Sequence, residues 1–297
     1  MGYLVAAVAL AVSFGLIQRA AQRRRGHYFY VSVTNYAVAT LVALVWVAAR
    51  GGWEASALAY WVGALNGVGF AVLFVLQYFM LGQRGVGVTF ALGSLSLLAP
   101  ISVSLVVFGE PAEAITLVGI ALLVIAAPLI AYRRMPMLPA VRVGLYWAVV
   151  AGLLGFTAGT LISWKVISEV TPSADRDAFV LATFAGATVT AGVTLAIRRW
   201  SEGPGPPLRR QGQAGAPAWI PLPIVMGVGL GLCNVVQLWV FLAALREVPG
   251  AVAFPVHSAG TVLVITVAGW IVWRERHGPV TLLGIAAALA GLVLVNL

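Results

Sequence analysis

From residue 2 to residue 297 the sequence is a succession of long apolar runs: 2–18, 28–49, 56–81, 86–108, 112–132, 143–168, 176–197, 218–244, 249–272 and 278–297. Runs of about 18 or more apolar residues are long enough, as helices, to cross a hydrocarbon core of about 30 Å. Barrel strands would instead write segments of about 10 residues that alternate polar and apolar, and the sequence has no such alternation. Apolar residues make up 61% of the chain and charged residues 9%, against about 45–50% and 25% in a soluble domain. The expected fold class is therefore an all-α polytopic membrane protein with ten transmembrane helices.

The formal charge of +9 does not argue for a nucleic-acid partner, because the arginines fall between the apolar runs, where membrane topology already explains them. Cys233 sits alone inside an apolar run, which excludes a disulfide framework or a cysteine-based metal centre. No cofactor or metal is expected. The first run lacks a cationic segment before it, and Arg19 and Arg23–Arg25 follow it; that is the reverse of a secretory signal, so it reads as a retained first span.

Several connections are short, such as "GQRG" at 82–85 and "REVP" at 246–249, and short links pair neighbouring helices antiparallel. The stretch 198–219 is Gly/Pro-rich with four arginines and reads as a polar cytoplasmic loop, centred on 198–218. A shorter break, "YRRMPMLPAVR" at 132–142, separates five spans from five. The two halves echo one another without a gap. "TLVGIALLV" at 116–124 returns 165 positions later as "TLLGIAAAL" at 281–289, Gly85 matches Gly250, and Glu110 matches Glu275. Such internal repeats mark many transporter folds. We divide the chain into repeats 1–135 and 136–297. An odd number of spans in each half forces the two copies to enter the membrane in opposite senses, so the repeat is inverted. With the N-terminus outside, the loops after spans 1, 3, 5, 7 and 9 hold every arginine except Arg50, Arg176 and Arg246. This positive-inside bias predicts both termini outside a cell (inner or plasma) membrane.

The residues 82–132 and 246–297 carry a resemblance. Each has a short turn, an apolar helix ending near Gly109–Glu110 or Arg274–Glu275, and a Thr-Leu-x-Gly opening of the last helix. The sequence resembles the drug/metabolite transporter superfamily, in its ten-helix form with two EamA-type repeats, although Arg274 stands where the family pattern has glycine. The resemblance implies a permease. It usually goes with cytoplasmic termini, whereas the arginine distribution says the opposite. The stretch 246–297 also resembles the C-terminal half of small multidrug resistance proteins. Their proton-coupling glutamate in the first helix has no counterpart in span 1, and span 6 holds only Glu169 near its end, so that mechanism does not carry over.

Ionisable groups are costly within a bilayer, which singles out the few that occur. Lys165 and Glu169 lie four apart on span 6 and form a candidate ion pair near the outer end, where a lysine can snorkel to water. His257, after Pro255 on span 9, reads either as a helix–helix hydrogen-bonder or as a group in a substrate cavity. Asn66 and Gln77 on span 3, and Asn234 and Gln237 on span 8, place uncharged amides on corresponding spans of the two halves. Such amides either bind a polar solute or hold helices together. Trp61 and Trp164 are the tryptophans placed to stack on a substrate, while others fall near span ends as interfacial belts. Gly63/Gly67 and Gly227/Gly231 are Gly-x-x-x-Gly pairs for close helix approach. Glu110 and Glu275 read as loop or gating residues.

The leading functional expectation is a secondary transporter, exporter or importer, for a small organic metabolite or drug-like solute, working by alternating access as a monomer or homodimer in the lipid bilayer. The alternatives are a flippase for lipid-linked intermediates, a non-transporting membrane scaffold, or a membrane-embedded lipid enzyme. The last lacks clustered acids, metal-ligand spacing or a nucleophile elbow, since "DRD" at 175–177 is too little.

Overall fold

The computed structural model describes residues 1–23, 28–51, 53–110, 113–130, 143–172, 175–202, 222–273 and 278–295. The break at 132–142, most of the polar loop at 198–218, and Arg274 and Glu275 lie outside them. Among the described residues there is no strand. The helices are α1 (Gly2–Arg23), α2 (Tyr28–Arg50), α3 (Ala57–Ser94), α4 (Leu98–Ser102), α5 (Ala114–Ile130), α6 (Val143–Val170), α7 (Asp175–Glu202), α8 (Leu222–Glu247), α9 (Gly250–Trp273) and α10 (Pro279–Val295). Seven stretches are long and apolar enough to cross a membrane, and Leu95–Val107, Ala114–Ala126 and Pro279–Gly291 are shorter apolar helices. An apolar helix satisfies its own backbone where no water can, which is why such a sequence folds this way. Large apolar side chains lie bare on the outside, Leu65 at 74%, Val106 at 82% and Ile271 at 72% exposure. A coat of that kind suits lipid and not water.

One expected boundary takes a different form. The link at 82–85 separates spans 3 and 4 in the sequence reading, whereas α3 stays helical through it to Ser94. The run nevertheless doubles back. Gly152 of α6 packs on Leu76, while the Ser96 hydroxyl donates to the Leu154 carbonyl 2.9 Å away. Residues 76 and 96 would be about 30 Å apart along a straight helix, yet they meet α6 two residues apart. The reversal falls where the sequence sets Gly82, Gly85, Gly87 and Gly93, residues that weaken a straight helix. Beyond it, the segment tightens to a 3₁₀ turn at Leu95–Leu97 and loosens to a π turn at Val103–Val107.

The tightest helix pairs are α3 with α7, α2 with α8, and α5 with α10, followed by α1 on α8, α2 on α7 and α3 on α6. Glycine makes the first two possible. A Cβ on Gly63 would stand 2.7 Å from the Phe179 carbonyl oxygen, and one on Gly231 2.5 Å from that of Asn35. Backbone therefore lies against backbone at both crossings, which gives dispersion contact where lipid offers no hydrophobic drive. At one end of the bundle, Asp175 and Asp177 in the first turn of α7 tie neighbouring helices. Ser56, the N-cap of α3, donates both its N–H and its hydroxyl to Asp175, and the Trp46 indole N–H donates to Asp177 at 3.1 Å. The "DRD" motif is a structural tie in this fold.

Candidate functional site

A cavity of about 200 Å³ lies between helices of both halves of the chain. Its walls come from α1, α2, α3 and the segment that follows it, and from α6, α8 and α9. Phe14, Tyr36, Phe70, Phe74, Phe90 and Phe254 make much of the lining aromatic. The aromatic wall continues behind the surface: the Trp164 ring stands 5.4 Å from that of Phe241, which stands 4.6 Å from the His257 imidazole. Tyr36 is fixed by donating its hydroxyl to the Phe70 carbonyl at 2.7 Å. Among the described residues that line the cavity, none is Asp, Glu, Lys or Arg.

Five of the seven pathway candidates border this space: Gln77, Trp164, Asn234, Gln237 and His257. The Gln237 side-chain nitrogen stands 3.4 Å from His257 Nε2 and donates to it in the tautomer that leaves that ring nitrogen unprotonated. Gln77 accepts from the Gln18 amide of α1 at 3.3 Å, and the Asn234 amide reaches the Asn35 side-chain oxygen at 3.5 Å. The other two candidates stand elsewhere. Asn66 is buried between α3 and α7, donating to the Thr183 hydroxyl at 3.3 Å. Trp61 is 77% exposed on the outer surface, far too open for a residue that stacks on an enclosed solute. Asn66 and Gln77 do share a helix face, but 11 residues of helix separate them by about 16 Å, and the neighbours of that face change over the distance.

The sequence reading passed over Thr160. It lies four residues before Trp164, hence on the same face of α6, and both line the cavity. Thr160 and Trp164 are 6% and 7% exposed, and neither the threonine hydroxyl nor the indole nitrogen has a hydrogen-bond partner. Their neighbours are provided for: Thr157 donates to the Leu153 carbonyl at 2.6 Å and Thr261 to that of His257 at 2.7 Å. A polar residue within an apolar helix is the signal that could have picked out Thr160.

A second polar feature stands beside the cavity. Lys165 has no exposed side-chain surface; it forms ion pairs with Glu110 and Glu169. The expected pair with Glu169 is present, but the lysine is turned inward and does not snorkel. The ammonium also lies 5.3 Å from the centroid of the Phe108 ring. Glu110, read from sequence as a loop or gating residue, is the centre of this cluster. Its two carboxylate oxygens accept the N–H groups of Gly250 and Ala251, both at 2.9 Å, at the start of α9. That helix end carries a partial positive charge and unpaired donors, both of which favour a carboxylate. The Gly-Glu pair has a local cause. Gly109 has φ +62°, a conformation that costs glycine nothing, and it folds the chain so that the Glu110 N–H returns to the Ser104 carbonyl at 3.1 Å. The Glu110 carboxyl is thereby aimed at α9. Burial pushes its pKa upward, but the Lys165 hydrogen bond, the two backbone N–H groups and the lysine charge outweigh burial and hold it below the ordinary carboxylate value.

Among the described residues no three His, Cys, Asp or Glu side chains gather as a metal site. No family model matches the chain, and no curated protein matches it. Among solved structures, one described as "Crystal structure of protein" is similar with a TM-score of 0.67 and 13% identity, covering 97% of this chain and 95% of that one. At that identity the likeness is one of fold.

Proposed function

We propose that the chain is a secondary transporter of the drug/metabolite transporter kind, with ten membrane crossings arranged as two inverted five-helix repeats. The observation that carries the reading is the cavity: it lies between the halves, takes its wall from both, and collects five scattered polar or aromatic candidates in an otherwise apolar bundle. The packing supports the repeat. In a two-fold arrangement α3 corresponds to α8 and α2 to α7, so the glycine-mediated contact of α3 on α7 has its counterpart in that of α8 on α2. The pair α5 and α10, which carries the repeated "TLVGIALLV" and "TLLGIAAAL", is its own counterpart. In this reading the two halves rock about the cavity, alternately exposing it to each side. The solute is a small organic molecule, the membrane is the cell membrane, and the arginine bias puts both termini outside. A flippase would need a cationic route for phosphate, and no arginine is among the described lining residues.

The test is counterflow in proteoliposomes, using labelled solutes first selected because they raise the melting temperature of the purified protein, as a ligand of the folded state must. Asn234→Leu should lower flux at unchanged fold. Asn66→Leu should lower thermal stability, by leaving Thr183 unpaired, while the apparent affinity stays as in the wild type. Counterflow no greater than in protein-free vesicles, for solutes that do bind, sinks the proposal.

A further inference from the structure

The wall of the cavity names a class of occupant, an inference that rests on the reading of this cavity as the solute site. Three observations combine. The cavity, about 200 Å³, is smaller than the roughly 300–1,000 Å³ of sites for drug-sized ligands, so it suits a molecule built on a single ring. Its faces are largely phenyl and indole, with Phe70 and Phe254 among them, which suits a flat ring packed by offset or edge contacts. Two fully buried groups of lining residues are left without a partner, the Trp164 indole N–H and the Thr160 hydroxyl, one helical turn apart on α6. The indole nitrogen donates and cannot accept. A buried donor of this kind is costly unless an acceptor is brought to it.

Charge narrows the class further. An anion would leave water for a lining that, among the described residues, holds no lysine or arginine, and an uncompensated buried charge is heavily penalised. Lys165, next in the chain to Trp164, does not supply one, because it is already shared by Glu110 and Glu169. A cation would find aromatic faces, but it would also meet the positive end of the indole N–H dipole. We infer that the cavity takes an uncharged, single-ring aromatic or heteroaromatic solute that carries a carbonyl or amide acceptor, held by the Trp164 N–H and the Thr160 hydroxyl.

Three isosteric probes separate the possibilities: benzamide, benzoate and benzamidinium present one ring and nearly one shape at charges of zero, minus one and plus one. Toluene adds the ring without an acceptor. Binding of each to the detergent-purified full chain is measured by calorimetry or saturation-transfer NMR at pH 7. Benzamide should bind, with benzoate and benzamidinium at least tenfold weaker. Trp164→Phe keeps a ring and removes the N–H; it should weaken benzamide at least fivefold and leave toluene unchanged. Thr160→Val gives the same pattern at smaller amplitude and serves should Trp164→Phe lower the yield of folded protein. The inference is overturned if either ionic probe binds as tightly as benzamide, if benzamide does not bind, or if both variants retain wild-type affinity for it. The transporter reading fails separately. Benzamide that binds but shows no protein-dependent flux refutes transport and leaves the ligand class, whereas flux of a charged solute through the same cavity refutes the class and leaves transport.

Discussion

Replacing Glu110 by alanine leaves Lys165 inside the protein with a single counter-ion, Glu169, whose side chain is 38% exposed. It also strips the Gly250 and Ala251 N–H groups of their acceptor. Removing one member of a buried pair costs about 3–5 kcal/mol, chiefly because the other charge stays behind. Lys165→Met is the milder change. The methionine occupies the place of an already buried stem, and Glu110, 12% exposed, keeps both backbone donors and the end of α9. Lost are two charge-assisted hydrogen bonds, the one to Glu110 worth about 1.5–3 kcal/mol and the one to the partly exposed Glu169 less, offset in part because a buried ammonium no longer has to be desolvated. The expected cost is about 1–2 kcal/mol. The double variant then has no stranded cation and should be more stable than Glu110→Ala alone by about 1–2 kcal/mol, so that one destabilising substitution rescues another. The four proteins of the cycle are compared by reversible unfolding in mixed micelles, titrating dodecyl sulfate and following helix content, with the coupling energy taken from the cycle. If Lys165→Met costs more than Glu110→Ala, or if the double variant is the least stable of the four, the charge cluster is not organised as described.

Other outcomes follow from the same geometry. The Glu110 carboxyl is held below its ordinary value, so the stability it contributes is fully present above the unfolded-state pKa of about 4.3 and is lost as pH falls through the lower folded value. The difference in melting temperature between wild type and Glu110→Gln should be level above about pH 5 and shrink on further acidification; a difference that grows instead contradicts the sign. Gly67→Ala sets a Cβ against the Thr183 carbonyl, whereas Gly155→Ala meets nothing within 4 Å. The first should cost about 1–3 kcal/mol by overpacking, and the second should be neutral or gain up to about 1 kcal/mol from helix propensity; equal costs in thermal melts would refute the close crossing. Alkaline phosphatase fused after Leu297, active only outside the cytoplasm, should be active, and a fusion that is silent while a cytoplasmic reporter at the same place works reverses the orientation.

The apolar spans were legible because their cause is local: a helix in lipid closes its own hydrogen bonds, so length and hydropathy suffice. The reversal after Gly82 was legible as a turn but not in its form, since glycines at 82, 85, 87 and 93 weaken a helix without dictating that backbone bonding continue through the bend. The site was half-legible. A polar side chain among apolar neighbours announces itself, which is how Gln77, Asn234, Gln237 and His257 were found. What it faces depends on where other helices cross, and Asn66 and Gln77 share a face while one meets Thr183 and the other the cavity. Glu110 was legible only as punctuation. Its partners, Lys165 and Gly250, are 55 and 140 positions away, and no spacing rule reaches that far.

Consecutive residues on a helix point about 100° apart, and α6 uses that angle to serve two environments. Trp164 borders the neutral cavity, while Lys165 turns from it to the carboxylates. The same cluster fixes the start of α9 through Gly250 and Ala251, and Phe254 and His257 follow within two turns of helix on the cavity wall. Glu110, which is not among the described lining residues, therefore ties the α6 wall to the α9 wall. A variant at Glu110 should then weaken ligand binding in proportion to how far α9 is released, and Lys165→Met, which leaves the Glu110 contacts to α9 in place, should weaken it less. Were the two variants to alter affinity equally, the cavity would be indifferent to the α9 contact, and the cluster would be a matter of stability alone.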